Sequence, residues 1–144
     1  MANREMLQGL AQATYDTLEA YRRAHETAHA SALRQTLERR ISQRTRTVNM
    51  LNEALAGRGG EPVKDASASA RAGDLIRAVM DAFQDGDEAA AHRIETAESD
   101  LAERYDSALA DDRLDDAARR TIERAARDVH EGESFGHVLD RQYG

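Results

Sequence analysis

At 144 residues with a net charge of −7, 33% charged residues and no cysteine, the sequence has the size of one ordinary domain (1–144) and can bury a core without disulfides or a structural metal. The lack of cysteine excludes disulfides and thiolate chemistry. The acidic balance excludes nucleic acid as the default partner, because the basic run of Arg39, Arg40, Arg44 and Arg46 is local and partly offset. No apolar run could span a membrane, and the opening MANREMLQGL lacks the basic-then-hydrophobic order of a secretion signal, so a cytoplasmic protein is expected.

The first predicted element is a helix capped by Asn3 and ending near Ala28. Its apolar face is Met6, Leu7, Leu10, Thr14, Leu18, Tyr21, Ala24, His25 and Ala28, and the rest is polar. After a tight turn at His29 and Ala30, Ser31 is the expected cap of a second helix facing inward through Leu33, Leu37, Ile41, Arg44, Val48, Leu51 and Leu55. The short connection makes the two antiparallel neighbours. Glycines at 57, 59 and 60 with Pro62 beyond stop the second helix, and Glu61 to Ser69 reads as a linker. A third helix is expected over 70–84 through Leu75, Ile76, Val79, Met80 and Phe83, with Asp74 as an alternative start because Gly73 interrupts the pattern.

Asp85 and Glu88 fit a capping box that opens the fourth helix, Asp87 to Leu109. Its stripe is Ile94, Ala97, Leu101, Tyr105 and Ala108, with Glu98 on the edge. A turn at 110–112 supplies an Asp to cap the last helix, which carries Leu114, Ala118, Thr121, Ile122, Ala125, Val129, Gly132, Phe135, Gly136 and Leu139. Gly132 and Gly136 lie one turn apart and suit a close helix approach or a partner contact. Nothing shows strand alternation. The expected core includes Leu37, Ile41, Val48, Ile94, Leu101, Tyr105, Ala125 and Val129.

Helical wheels put a few polar groups on apolar faces. Arg44 sits among Leu37, Ile41, Val48 and Leu51; Glu98 flanks Ile94, Leu101 and Tyr105; Asp128 flanks Thr121, Ala125 and Gly132; and His25 lies near Leu18 and Tyr21. A last hairpin turning near Asp111 would set Glu98 level with Ala125 and one turn from Asp128. A buried carboxylate needs a partner or takes up a proton. The simplest satisfied arrangement is a structural network of Arg44 with Glu98, joined by Asp128. The competing reading is a divalent-metal site, iron or another ion, using His25, Glu98 and Asp128.

The spacing for metal ligation is poor. A di-iron bundle takes a Glu from each of two helices and a Glu-x-x-His from each of the others. Glu26-x-x-His29 has that order, but Glu26 points off the apolar face; His92-x-x-Glu95 and His130-x-x-Glu133 are reversed. His25 and His29 read as a surface pair. There is no phosphate loop and no nucleophile with an oriented base, so no catalytic residue and no cofactor are predicted. Tyr21 and Tyr105 are expected to finish the core, whereas Tyr15 and Tyr143 are too dispersed for an aromatic strip.

Several stretches together carry a resemblance. They are Leu7, Leu10 and Glu19-Ala20-Tyr21-Arg22-Arg23-Ala24; Leu33, Leu37 and Arg44 before Leu51; Ala97-Glu98-x-Asp100 followed by Tyr105 and Leu109; and Val138-Leu139-Asp140. In that order, from about Met6 to Asp140, the chain resembles the ferritin-like four-helix domains of unknown function seen in short stress-associated and conserved hypothetical bacterial proteins. The resemblance implies an all-α, antiparallel up-down four-helix bundle with an additional crossover helix, and special positions for Arg44 and Glu98. It implies no activity. Such proteins often carry a histidine near the place of Glu133, and here His130 and His137 lie on either side, which counts against inherited metal chemistry.

The first expectation for function is therefore a non-enzymatic bundle with a structural or protein-interaction role, stress-related through the resemblance alone. It would form a homodimer through a residual face near Phe83 or Gly132–Gly136. The alternatives are a divalent-metal binder or di-iron oxidase, and a regulator that docks an unknown protein partner on its acidic surface.

Overall fold

Apolar residues at three- and four-residue spacing leave each long segment with one dry face, and helices that expose such faces must pack together. The computed structural model describes residues 2–67 and 70–143. Ala68 and Ser69, where the expected linker ends, lie outside the described residues, as does the side chain of Tyr143. The elements are α1 (Ala2–Thr27), α2 (Ser31–Ala56), α3 (Ala70–Asp85), α4 (Asp87–Leu109) and α5 (Asp116–Tyr143).

The α1/α2 and α4/α5 pairs form two antiparallel hairpins, and polar clasps fix how they meet. At one end of the bundle Asn3 Nδ2 donates to the Arg113 carbonyl at 3.1 Å, and the Asp115 N–H donates to Asn3 Oδ1 at 3.0 Å. Arg58 there grips Asp115 with two bonds of 2.8 and 2.7 Å. At the other end the Asp87 carboxylate accepts from the N–H groups of His29 and Ala30, at 3.5 and 3.3 Å. Helices α2 and α4 therefore run the same way, and the chain between them must return along the bundle.

Residues 57–86 make that return. Gly59 takes a φ of +76°, which frees the chain from α2. The strap is then tied down in steps. Asn52 exchanges two bonds with the backbone of Val63, at 2.9 and 2.8 Å; Gln12 donates to the Asp65 carbonyl; and the Ser67 N–H donates to the buried Asp16 carboxylate at 2.7 Å. Helix α3 lies in the groove between α1 and α4 and fills it with Val79, Ala82 and Phe83. The result is a four-helix bundle of α1, α2, α4 and α5 with α3 as an extra crossover helix.

Helix starts differ from the sequence expectations. Asn3 lies inside α1 and serves as an end clasp. Ser31 is the first residue of α2 rather than its cap, and Asp87 from the other hairpin satisfies the neighbouring backbone instead. Asp85 ends α3, and Gly86, at φ +131°, stands at the cap of α4 with no side-chain cap bond. Of the acidic residues around 111–116, it is Asp115 that caps α5, accepting from the Ala118 N–H at 2.8 Å.

The apolar core falls into two clusters. One gathers Leu7, Leu10, Leu51, Leu55, Leu101, Tyr105, Ile122, Ala125 and Val129 near the clasp of Asn3. The other gathers Tyr21, Ala24, Leu33, Leu37, Phe83, Ala91, Ile94 and Leu139 toward the opposite end. Val48 is also buried. Ile41, placed in the core from its spacing, is only partly buried, because the inward face of α2 at that level belongs to Arg40 and Arg44. The surfaces expected to join two copies are used within the chain: Phe83 is fully buried, and Gly132 and Gly136 are covered by α4.

Candidate functional site

Between the two apolar clusters lies a layer of polar side chains, one or more from each bundle helix. Arg40, Arg44 and Thr47 come from α2, Glu98 from α4, Asp128 from α5 and Thr17 from α1. Spacings of three and four on α2 stack the two arginines and the threonine on a single inward stripe. Arg44 is 0% and Glu98 1% exposed, so neither charge is shared with water.

Arg44 is the hub. Its Nη1 donates to Glu98 Oε1 at 2.9 Å and its Nη2 to Glu98 Oε2 at 2.6 Å, a two-pronged carboxylate grip. Its Nε donates to Asp128 Oδ2 at 2.8 Å, and Nη1 also reaches Thr17 Oγ1 at 2.6 Å. Arg40 holds the other Asp128 oxygen at 2.9 Å and lies 3.8 Å from Glu98 Oε2. Thr47 donates a further 2.9 Å bond to Asp128 Oδ2. Two cations thus face two anions, and the cluster is neutral as a whole.

The ionisation of these groups follows from the pairing. Burial works against charge on Arg44, yet its neighbours, Glu98 first and Asp128 with it, together outweigh burial and raise the guanidinium further above its ordinary range. Burial would likewise raise the Asp128 carboxyl, but Arg44 and Arg40 hold it below the usual carboxylate value. The Tyr21 ring roofs the cluster, with the Arg40 and Arg44 guanidinium carbons 5.8 and 5.6 Å from its centroid. Burial and then the Glu98 charge push the Tyr21 phenol up, so it stays protonated at neutral pH. Tyr21 Oη and Arg40 Nε are buried and find no hydrogen-bond partner of good geometry, although the Arg40 side chain lies against the phenol. Beside Tyr21 and Glu98 is a small, partly open pocket of about 10 Å³, lined also by Val79 of α3. Burial also pushes Tyr105 up, to about 12, and its hydroxyl lies 2.6 Å from Thr14 Oγ1. Thr14 spends its own proton on the Leu10 carbonyl, so Tyr105 is the donor of that pair.

Gly132 is the position that makes the layer fit. A Cβ there would overlap Glu98 Oε2 and stand 2.7 Å from Arg44 Nη2 and 2.8 Å from Arg40 Nη2. One turn on, a Cβ at Gly136 would stand 2.8 Å from Glu95 Cα. The two glycines therefore set how closely α4 and α5 approach, and Gly132 gives the Glu98 carboxylate its space.

The three residues considered for a metal do not converge. Glu98 and Asp128 meet at the same two arginines, whereas His25 points elsewhere and lies 2.9 Å from Glu38 Oε1. Glu26, the acid of the one forward Glu-x-x-His spacing, is exposed and pairs with Arg23. The donors do not fit the di-metal centre of a ferritin-like bundle, because guanidinium groups already use the inward carboxylate oxygens. Sequence reasoning missed Arg40, Thr17, Thr47 and the role of Gly132. The one available signal was the i,i+4 repeat of arginine at 40 and 44, which puts both on one face. Away from the layer, His92 and Glu95 of α4 lie beside Asp140 of α5, with one ligand atom from each within 4.8 Å of the others.

A family model described as a domain of unknown function (DUF2383) matches residues 3–111, which hold α1 to α4 and every member of the polar layer except Asp128 and Gly132. No curated protein and no solved structure matches the chain.

Proposed function

We propose a non-enzymatic, structural or protein-interaction role for this chain, which belongs to the bacterial DUF2383 family of ferritin-like helical domains of unknown function. The observation that supports it is the closed charge balance of the central layer: Arg40 and Arg44 against Glu98 and Asp128, joined by hydrogen bonds in the order Arg40, Asp128, Arg44, Glu98. A reaction centre in such a bundle needs inward groups with free lone pairs or an open coordination position. Here the lone pairs are turned toward guanidinium protons. The layer serves instead to lock four helices in one alignment.

The surface favours a polar mode of contact. Among the described residues Val138, 50% exposed, is the only large hydrophobic side chain that stands in the open. With a net charge of −7, a protein partner of opposite charge would be recognised mainly by charge and hydrogen bonding, so that association should weaken as salt rises.

The test is anaerobic Fe(II) titration of tag-free protein, followed by oxygen uptake. The expected result is no oxygen consumption above a buffer control. Two irons per chain with oxygen uptake, both abolished by Glu98→Gln, would overturn the reading and make the central carboxylates ligands.

A further inference from the structure

The α4/α5 seam beyond the central layer carries a second set of ionisable side chains that the structural role does not use. His92 and Glu95 are three residues apart on α4, and His137 and Asp140 are three apart on α5, so each pair shares a helix face. Because the helices are antiparallel, the pairs cross. His92 Nδ1 lies 3.8 Å from Asp140 Oδ1, and His137 Nδ1 lies 3.2 Å from Glu95 Oε1. The close approach at Gly136 against Glu95 Cα lets α4 and α5 pass near each other here; His92, Glu95 and Asp140 converge, and His137 adjoins that group through Glu95.

We propose that His92, Glu95, His137 and Asp140 form a binding site for one divalent transition-metal ion across this seam. Two imidazoles and two carboxylates are the donor set of Zn²⁺, Fe²⁺ or Co²⁺. They suit neither a thiolate-seeking ion nor an all-oxygen ion such as Mg²⁺. Metal–ligand distances of about 2.0–2.2 Å place tetrahedral donors roughly 3.3–3.6 Å apart. The ligand atoms of His92, Glu95 and Asp140 lie within 4.8 Å of one another, so side-chain rotation closes the remaining gap. The groups can rotate: the His92 and His137 side chains are 67% and 55% exposed, and Asp140 is 33% exposed. Two neutral imidazoles with two carboxylates also balance the charge of a divalent ion. A bound ion would clamp the start of α4 to the last turns of α5.

The test uses tag-free protein, with Co²⁺ followed by its visible absorption and Zn²⁺ by titration calorimetry. One ion per chain is expected, with a Co²⁺ spectrum of low coordination number. His92→Ala and His137→Ala should each weaken binding by at least about tenfold, while His25→Ala and His130→Ala leave it unchanged. His92, His130 and His137 are exposed and His25 is half-buried, and circular dichroism will check that the variants keep the parent helix content. Zn²⁺ should raise the melting temperature of the parent but not of the His92→Ala/His137→Ala double variant. A smaller loss in the two seam variants, or equal binding by the double variant, overturns the proposal. An ion lost in the His92 variant and kept in Glu98→Gln belongs to the seam, which separates this outcome from a failure of the structural reading of the centre.

Discussion

Gly132→Ala adds one methyl group to the most crowded point of the molecule. That methyl would overlap Glu98 Oε2 and stand 2.7 and 2.8 Å from the two arginine Nη2 atoms. Relief requires either that α5 retreat from α4, which opens the neighbouring Gly136–Glu95 contact, or that the carboxylate leave Arg44. Breaking a buried pair by displacing one partner costs about 3–5 kcal/mol. Alanine returns roughly 1 kcal/mol over glycine in a helix interior. The net loss is then ~2–4 kcal/mol, and at about 2–4 °C per kcal/mol for a chain of this size it lowers the melting temperature by roughly 4–16 °C. Gly9→Ala is the internal control, because nothing lies within 4 Å of a Cβ there and only the helix gain of at most ~1 kcal/mol applies. Urea and thermal unfolding followed by circular dichroism give both numbers. The carboxylate is the cause, so Glu98→Ala should add less than its full cost on top of Gly132→Ala. A Gly132→Ala protein as stable as its parent, with Gly9→Ala behaving as the control, would refute the packing argument.

Two further measurements address the charges themselves. Arg44→Met and Glu98→Gln, made singly and together, should be strongly non-additive in urea unfolding, since each single change strands a buried partner that the double change removes; additivity would deny the direct pair. The Asp128 carboxyl is held below its ordinary value, so the stability it supplies is complete above the unfolded value of about 3.9 and is lost as pH falls through the lower folded value. Asp128→Asn should be less stable at pH 7 and show a shallower acid limb below roughly pH 4; an unchanged slope would remove Asp128 from the titrating set.

The period of the apolar residues made five helices legible, and the buried ranks of Leu101, Tyr105, Ala125 and Val129 follow from that period alone. Helix starts were less legible, because the groups that satisfy them come from afar. Asp87 serves the backbone at 29 and 30, and Asn3 serves Asp115, contacts that no local pattern encodes. Arg44 and Glu98 stood out as polar residues on dry faces. Arg40 did not, since a neighbouring Arg39 made it look like part of a solvated basic run. Gly132 could be flagged only as small. That its smallness accommodates a carboxylate from α4 depends on the rotation of α5, which is a tertiary fact. Of the two seam pairs, only His92-x-x-Glu95 stands out in the sequence, as a reversed motif; joining it to His137 and Asp140 requires the antiparallel register.

That register is what the polar layer controls. Both hairpins present long faces of similar residues, Leu7, Leu10, Leu18, Leu33, Leu37, Leu51 and Leu55 on the first and Ile94, Leu101, Tyr105, Ile122 and Val129 on the second, and apolar faces of this kind pack acceptably in more than one alignment. A slip of one turn, about 5.4 Å, would carry Arg44 away from Glu98 and into one of the apolar clusters. An unpaired ion there costs several kcal/mol. In the native alignment the same groups add little net stability over an apolar layer, because desolvation consumes most of their attraction. The balance makes the wrong registers poor without making the right one much better. It also explains why the layer sits between the two apolar clusters: a mismatch at that level disturbs both halves of the bundle, whereas one at an end could be absorbed by fraying.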